Sequence, residues 1–345
     1  MEAKKNHFQQ SDFWCGFKSC HGWNVVKVDE CNVLVRNFKK AFLDFSIAYA
    51  PMLPLFDEES VSAECCLSKM EELAKKAKVL LPANCICLRF DLPVEFSSVS
   101  DRDSFVKSVL DLGRKKSSRI KKSLVDIQPP DTTCIDLSRS MDEILLSMKN
   151  KWRYNIRYAE KHEVKVRKTT CMSENFLQDL KSFYSLYKVT SERDGIGLHP
   201  ESYYEDLMKK SNPDSEVNLY IASHQGTDLA AIITLFQKDE AIYLYGCSGN
   251  VKRNLMPAYL LQKTAVQDAK DYGCKIYDFY GIPPVADDSH PMHGLYLFKM
   301  GFGGKEIHRP GCFDYPFKMM YSVYSFLEKL RAFWHKIIIK KIRGR

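Results

Sequence analysis

Three neighbouring stretches, VNLYIASH (217–224), DLAAIITLFQ (228–237) and AIYLYGCS (241–248), are rich in β-branched and aromatic residues, with turn signals at Gln225-Gly226 and Lys238-Asp239. That spacing predicts three consecutive strands joined by tight turns. A helical stretch follows at about 256–272 and stops at Gly273, a residue suited to the left-handed position after a helix. KIYDFYGIPP (275–284) reads as the next strand. The same order occurs nearer the start without obvious identity: WNVVKV (23–28), CNVLVRNF (31–38), AFLDFSIAYA (41–50), a helix at about 60–81, and the strand CICLRFDLP (85–93). Both closing strands carry an aspartate before a proline, Asp91 and Asp278. Two similar α/β domains are expected, with an exposed connection around RKKSSRIKK (114–122) and Pro129-Pro130.

The 345 residues suffice for two domains, and 45% hydrophobic with 12% aromatic residues excludes whole-chain disorder. Of the net charge of +8, the segment 328–345 supplies +6, from seven basic residues against Glu328. A nearly neutral body with a basic end argues against a uniformly basic nucleic-acid binder. The N-terminal stretch lacks the apolar core of a secretory signal, and no run approaches the roughly 18 apolar residues of a membrane helix. A cytoplasmic protein is therefore expected. Its twelve cysteines include no C-x-x-C pair and are expected to be reduced thiols.

Residues 141–163 predict one helix, with Leu145, Met148, Trp152, Ile156 and Ala159 on its apolar face. Lys149, Arg153, Arg157 and Lys161 repeat at i+4, and only Glu160 and Glu163 lie near enough to neutralise them. Such a ridge is either a solvated charged face or a track for phosphates. In acetyltransferase-like domains, a Gly-rich loop between strand and helix cradles the coenzyme A pyrophosphate. The corresponding RNLMPA (253–258) has Met256 where backbone would approach phosphate, and Pro257 lacks an N–H. A coenzyme A site is not expected, and no nucleotide or hydrolase motif occurs. Asp287, Asp288, His290 and His293 read as a polar loop rather than a metal site, and Cys247 as a buried thiol.

The stretch LSMKNKWRYNIRYAEKHEVKV (146–166) resembles the R-Y-N-I-R-x-A-x-K-x-G-V signature of the FemABX family, the peptidoglycan bridge-forming aminoacyltransferases. FQQSDFWCGFKSCHGW (8–23), CLRFDLP (87–93), AIYLYGCSGN (241–250), YDFYGI (277–282) and LYLFKMGFGGKE (295–306) match in order. The resemblance implies an α/β (α+β) fold of two acetyltransferase-like (GNAT-fold) domains, 1–140 and 141–317. A basic amphipathic C-terminal helix, 318–345, is expected to return to the first. About thirty residues separate the signature helix from Arg193, too few for the helical hairpin of larger members. The chain thus resembles the shorter, FemX-like members, of lipid II:glycine glycyltransferase type.

What the resemblance implies is transfer of glycine, alanine or serine from aminoacyl-tRNA to the side-chain amine of the third stem-peptide residue of peptidoglycan. The acceptor is the UDP-MurNAc-pentapeptide or lipid II at the inner membrane face. Aminoacyl-tRNA is a co-substrate; no resident cofactor or metal, no acetyl-CoA and a monomer are expected. Transfer to a protein N-terminus or a lipid head group, or a silent binding module, are the alternatives. Lys299 is implied to face the oxyanion, with Phe298 beside it. Lys18 is implied to meet precursor phosphate, and Tyr204 to line the same cleft. Tyr243 and Tyr245, two apart on one strand and so expected on the same side, are further substrate contacts. So is Asp278; Asp91 either accepts a hydrogen bond from substrate or caps the following turn. Lys149, Arg153, Arg157 and Lys161 are the implied tRNA contacts. The tail FLEKLRAFWHKIIIKKIRGR (326–345) is left to dock on the first domain, touch tRNA or sit on anionic lipid. The chain departs from the family pattern at Tyr49-Ala50-Pro51-Met52-Leu53-Pro54, which lacks an arginine, and at His162-Glu163, which replace Lys-Gly.

Overall fold

The computed structural model describes residues 2–3, 7–40, 43–54, 61–288, 290 and 292–334. It has two compact units, residues 131–306 and residues 1–130 with 307–345. In the 131–306 unit the predicted meander forms as Ser215–His224, Thr227–Gln237 and Glu240–Ser248, all antiparallel. Gln225 and Gly226 both take positive φ, the primed turn whose twist suits a two-residue hairpin. The helix Pro257–Tyr272 then lays Leu261, Ala265, Val266 and Ala269 against Tyr220, Ala222, Ala230 and Ile232 of the sheet. It returns the chain to Ile276–Asp278, parallel to Glu240–Ser248. Lys165–Thr169 at one edge, and Asp131–Asp136 followed by Lys305–His308 at the other, complete seven strands.

The other unit repeats this plan. Asn24–Val28, Cys31–Lys40 and Leu43–Ala50 form an antiparallel meander. The helix Ala63–Leu80 buries Leu67, Met70, Leu73, Ala74 and Ala77. Cys85–Asp91 then runs parallel to Leu43–Ala50. A second helix, Val99–Lys115, capped by Ser98, runs into the stretch expected to be an exposed connection.

The predicted boundaries shift at two strands. Asp131–Asp136, placed in the first domain by the sequence, pairs with Ile276–Asp278 in the second unit. Cys312–Pro316, placed in the second domain, instead lies inside the first unit's sheet between Cys85–Asp91 and the short strand Lys121–Lys122. In each case the inserted strand supplies antiparallel partners to a strand whose other side is already paired in parallel. Arg89, on Cys85–Asp91, fixes the second insertion. Its guanidinium donates to both carboxylate oxygens of Asp314 at 2.7 and 2.9 Å and to those of Glu328 at 3.0 and 2.8 Å. Tyr321 donates to Asp314 and Tyr324 to Glu328. Removing one partner from such a buried cluster would leave an uncompensated charge. The cluster holds the helix Met320–Phe333, which packs Met320, Tyr321 and Tyr324 on Ile47, Ile86 and Cys87. Residues 335–345 of the expected tail lie outside the described residues.

The helix expected over 141–163 is two: Met141–Ser147, opened by a capping box at Ser140 and Glu143, and Asn150–Lys161. Met148 is extended between them and buried. No long hairpin is present among the described residues; the longest helix, Phe176–Asp194, has 19. No described helix is long and apolar enough to cross a membrane. None of the twelve cysteines is in a disulfide.

Candidate functional site

The clearest chemical constellation lies at the end of Ile276–Asp278. The strand predicted to run on from there stops at Asp278, and the chain turns through Tyr280 and Gly281, both at positive φ (50° and 73°). Asp278 steadies the turn by accepting the Tyr280 N–H at 2.7 Å and the Thr132 hydroxyl. The turn aims the Tyr280 and Gly281 carbonyls at one point, and Lys299 Nζ donates to both, at 2.8 Å to Gly281. Lys299 is 4% exposed, and its Nζ stands 5.3 Å from the centre of the Tyr243 ring. Burial drives its pKa down to about 7, against the opposing pull of Asp278. A buried lysine poised near neutrality, with two of three donor positions fixed by carbonyls, can hold or release a proton at the third.

The signature helix positions that lysine. Lys299 belongs to the helix His293–Met300. The Trp152 indole donates to the Phe298 carbonyl at 2.9 Å, and the Lys149 N–H to the Gly301 carbonyl at 2.9 Å. The Trp152 ring occupies the space a Cβ on Gly301 would need, so only glycine admits this closeness. The Phe298 side chain packs edge-on against Tyr259 and Phe302.

Tyr243 and Tyr245 do not share a side. Thr234 pairs with Tyr243 and Ile233 with Tyr245, so Leu244 is the extra residue of a β-bulge and alternation breaks there. Tyr243 joins the core cluster of Trp152 and Phe279 and covers Gly246, leaving no room there for a Cβ. Tyr245 enters an aromatic cluster on the opposite side of the sheet. It meets Tyr204 edge-on at 5.2 Å, and its hydroxyl lies 3.5 Å from that of Tyr203. His199 stacks on Tyr203 at 4.0 Å. The Tyr204 ring is fully buried, which corrects its expected place on a cleft wall: it supports Tyr203 and Tyr245.

In the first unit, Lys18 Nζ sits 5.4 Å from the Trp14 ring and 5.7 Å from Trp23, while the Arg36 guanidinium lies 5.4 Å from that second ring. Burial, then Arg36, lowers the Lys18 pKa to about 8. Two cations on one aromatic patch suit an anion; Arg36, an exposed residue of a long strand, carried no motif. Asp91 is turned inward, accepting from the Tyr49 hydroxyl and from the Cys312 thiol at 2.8 Å. Burial raises its pKa against those two donors. Both of these partners are internal, from Leu43–Ala50 and Cys312–Pro316, and neither belongs to the turn that follows Asp91.

Of the predicted cation ridge, Lys149, Arg157 and Lys161 are exposed. Arg153 is not available in the same way. It caps the helix break, donating to the Leu146 and Met148 carbonyls at 2.7 and 3.0 Å. The loop at Arg253–Leu255 leads to Met256, at φ 57°, and Pro257 opens the next helix, so the helix end where pyrophosphate would sit is short of N–H groups. Cys247 is buried with its thiol 3.6 Å from two carbonyls, and burial pushes its pKa up. No group of three or more His, Cys, Asp or Glu placed to hold a metal occurs among the described residues; His293 pairs with Asp288 at 3.1 Å.

Comparison with known proteins agrees with this architecture. The lipid II:glycine glycyltransferase of Staphylococcus epidermidis is 23% identical, over 82% of this chain and 79% of that protein. Its Staphylococcus aureus counterpart is 22% identical, over 95% and 91%. Among solved structures, FemX superposes with a TM-score of 0.74 at 19% identity, over 94% of this chain and 96% of that one. The C-terminal domain of a putative lysylphosphatidylglycerol synthetase from Agrobacterium fabrum follows at 0.54 and 11%, over 89% and 87%. These likenesses agree with the mixed α/β architecture of two compact units described above. The profile of the FemAB family matches residues 1–225 and 215–329, nearly the whole chain, and the chain belongs to that family.

Proposed function

We propose that the protein is an aminoacyltransferase that moves an amino acid from aminoacyl-tRNA to the side-chain amine of the third stem-peptide residue of peptidoglycan. The observation that carries this reading is the buried Lys299, held by two carbonyls with its pKa near 7. The relatives named for lipid II:glycine glycyl transfer support glycine as donor residue and lipid II as acceptor. Alanine, serine and the UDP-linked precursor remain within the same chemistry.

The reaction is aminolysis of an ester. The amine nitrogen attacks the ester carbonyl carbon, the C–N bond forms, the C–O bond to the tRNA ribose breaks, and the amine's proton leaves with the ribose oxygen or to water. The acceptor amine, which titrates near 10.4 in water, must first lose a proton, at a cost of roughly 4–5 kcal/mol at pH 7. No nucleophilic side chain is required. Lys299, as the ammonium, directs its third N–H at the oxyanion of the tetrahedral intermediate. Asp278 keeps that lysine charged more of the time. Tyr243 walls the lysine, and Tyr245 contributes a second aromatic surface for substrate. Lys18 with Arg36 binds the precursor diphosphate. Lys149, Arg157 and Lys161 meet tRNA phosphates, with Arg153 fixing the helix that presents them. Acetyl-CoA is not a donor in this reading, because Met256 and Pro257 take the place of its phosphate cradle. The working site is cytoplasmic, where both substrates are made, and the acting species is the monomer.

The test is to incubate purified protein with charged tRNA and muropeptide precursor. A branched stem peptide is expected, lost on RNase treatment and on the Lys299→Met change. Transfer that persists from acetyl-CoA after RNase would sink the reading. Modification found on a protein N-terminus or lipid head group instead would move the acceptor and keep the donor.

A further inference from the structure

Among the described residues, the helix Met320–Phe333 is packed on one side only. Tyr321, Tyr324 and Glu328 face the first unit's sheet and the Arg89 cluster. On the other side Met319, Val323, Phe326, Leu327, Leu330 and Trp334 are each between 47% and 93% exposed. At about 100° per residue these six fall within one arc of roughly 100°. Scattered exposed apolar side chains need no explanation, but a continuous stripe of six does.

We infer that this stripe is a membrane-contact face, which lies on an anionic bilayer surface with Phe326, Leu330 and Trp334 in the headgroup region. Charge selects this occupant over a protein. Lys318, Lys329 and Arg331 are exposed, and Lys329 and Arg331 flank the stripe on its two sides, where long side chains can reach phosphates while their stems stay apolar. The one acidic residue between 318 and 334, Glu328, is turned inward to Arg89. Past Trp334 the sequence adds five basic residues and no acidic one. A second copy docked on this face would set cation against cation, whereas an anionic surface neutralises the whole rim. The helix is too short and too polar on its inner side to span a bilayer, so it lies on the surface. The Arg89 cluster makes the contact a fixed one: the helix cannot roll its apolar side inward without stripping Glu328 from a buried guanidinium.

The inference stands on this helix, and it deepens the proposed transfer by bringing the enzyme to a lipid-carried acceptor. The experiment is co-sedimentation of the full chain with vesicles of phosphatidylglycerol and phosphatidylcholine, against vesicles of phosphatidylcholine alone. Binding to the anionic vesicles, a blue shift of Trp334 emission absent from Trp334→Phe, and weakening by added salt are expected. The double variant Phe326→Ser, Leu330→Ser should bind about tenfold less or weaker still while melting like wild type, since both side chains are already exposed. Equal binding to neutral vesicles, undiminished binding by the double variant, or a dimer in sedimentation velocity that the double variant abolishes would each overturn the inference. Vesicle binding is read without turnover. A chain that binds through this face yet transfers nothing upholds the inference and removes only the transfer reading.

Discussion

Asp91 and Asp278 close strands that hold the same place in two similarly built units, each parallel to the last strand of a meander. Around Asp278 the chain gathers Thr132, the Tyr280 N–H and a buried lysine. Around Asp91 it gathers a tyrosine hydroxyl and a thiol, with no lysine or arginine donating to the carboxylate among the described contacts. One carboxylate tunes a cation whose proton is exchangeable near neutral pH. The other is pushed toward its neutral form and serves packing. Two similarly built units therefore offer two equivalent strand ends, and the residues delivered by a non-equivalent segment decide which one gathers a buried cation. Lys299 arrives on its own helix in one unit; Cys312 arrives on an inserted strand in the other.

The sharpest way to break this contrast is Lys299→Met, which should lower kcat about 10²–10³-fold by removing a preorganised oxyanion donor. A smaller loss would shift the weight to substrate positioning. Next comes stability. A lysine titrating near 7 when folded and near 10.4 when unfolded leaves the unfolded chain holding more protons between those values, so its burial becomes less costly as pH rises. From pH 7 to 9, wild type should gain up to about 2–3 kcal/mol relative to Lys299→Met in paired denaturation curves. Asp278→Asn should move the alkaline limb of the kcat profile to lower pH, because the charge that raises the Lys299 pKa is gone; an unmoved limb would detach Asp278 from the lysine. On the signature helix, Arg157→Gln should reduce the salt dependence of tRNA binding by about one phosphate contact, whereas Arg153→Gln should chiefly lower the melting temperature. Asp91→Asn is expected to be the mildest change. Since the folded Asp91 pKa is raised, wild type should lose ground to the variant as pH climbs past 4, with transfer near wild type.

Much of the architecture was legible in the sequence. Both meanders, both crossing helices and the Gly273 stop follow from local periodicity and turn chemistry, which depend on near neighbours. What escaped depends on distant partners. Asp131–Asp136 and Cys312–Pro316 are short strands whose identity rests on sheets built elsewhere in the chain. The bulge at Leu244 is a single extra residue, invisible to a period-two count, yet it sends Tyr243 and Tyr245 to opposite sides. The break at Met148 was hidden because the apolar spacing continues across it. At the candidate site, Lys299 and Asp278 were reached through resemblance. The carbonyls that hold the lysine come from two left-handed residues, Tyr280 and Gly281, whose side chains announce nothing about backbone direction.

The insertion of Cys312–Pro316 into the first unit also fixes an order of birth. The unit that begins at residue 131 emerges from the ribosome as one uninterrupted piece and has every strand of its sheet by residue 308. The unit that starts first finishes last: until residues 312–328 are synthesised, Cys85–Asp91 is an open sheet edge and Arg89 has neither carboxylate. A nascent chain must carry that unfinished half through the making of the whole second unit. A stop codon just past position 308 would therefore remove far more than a tail, and the protein released should lack a folded N-terminal unit while keeping an intact C-terminal one.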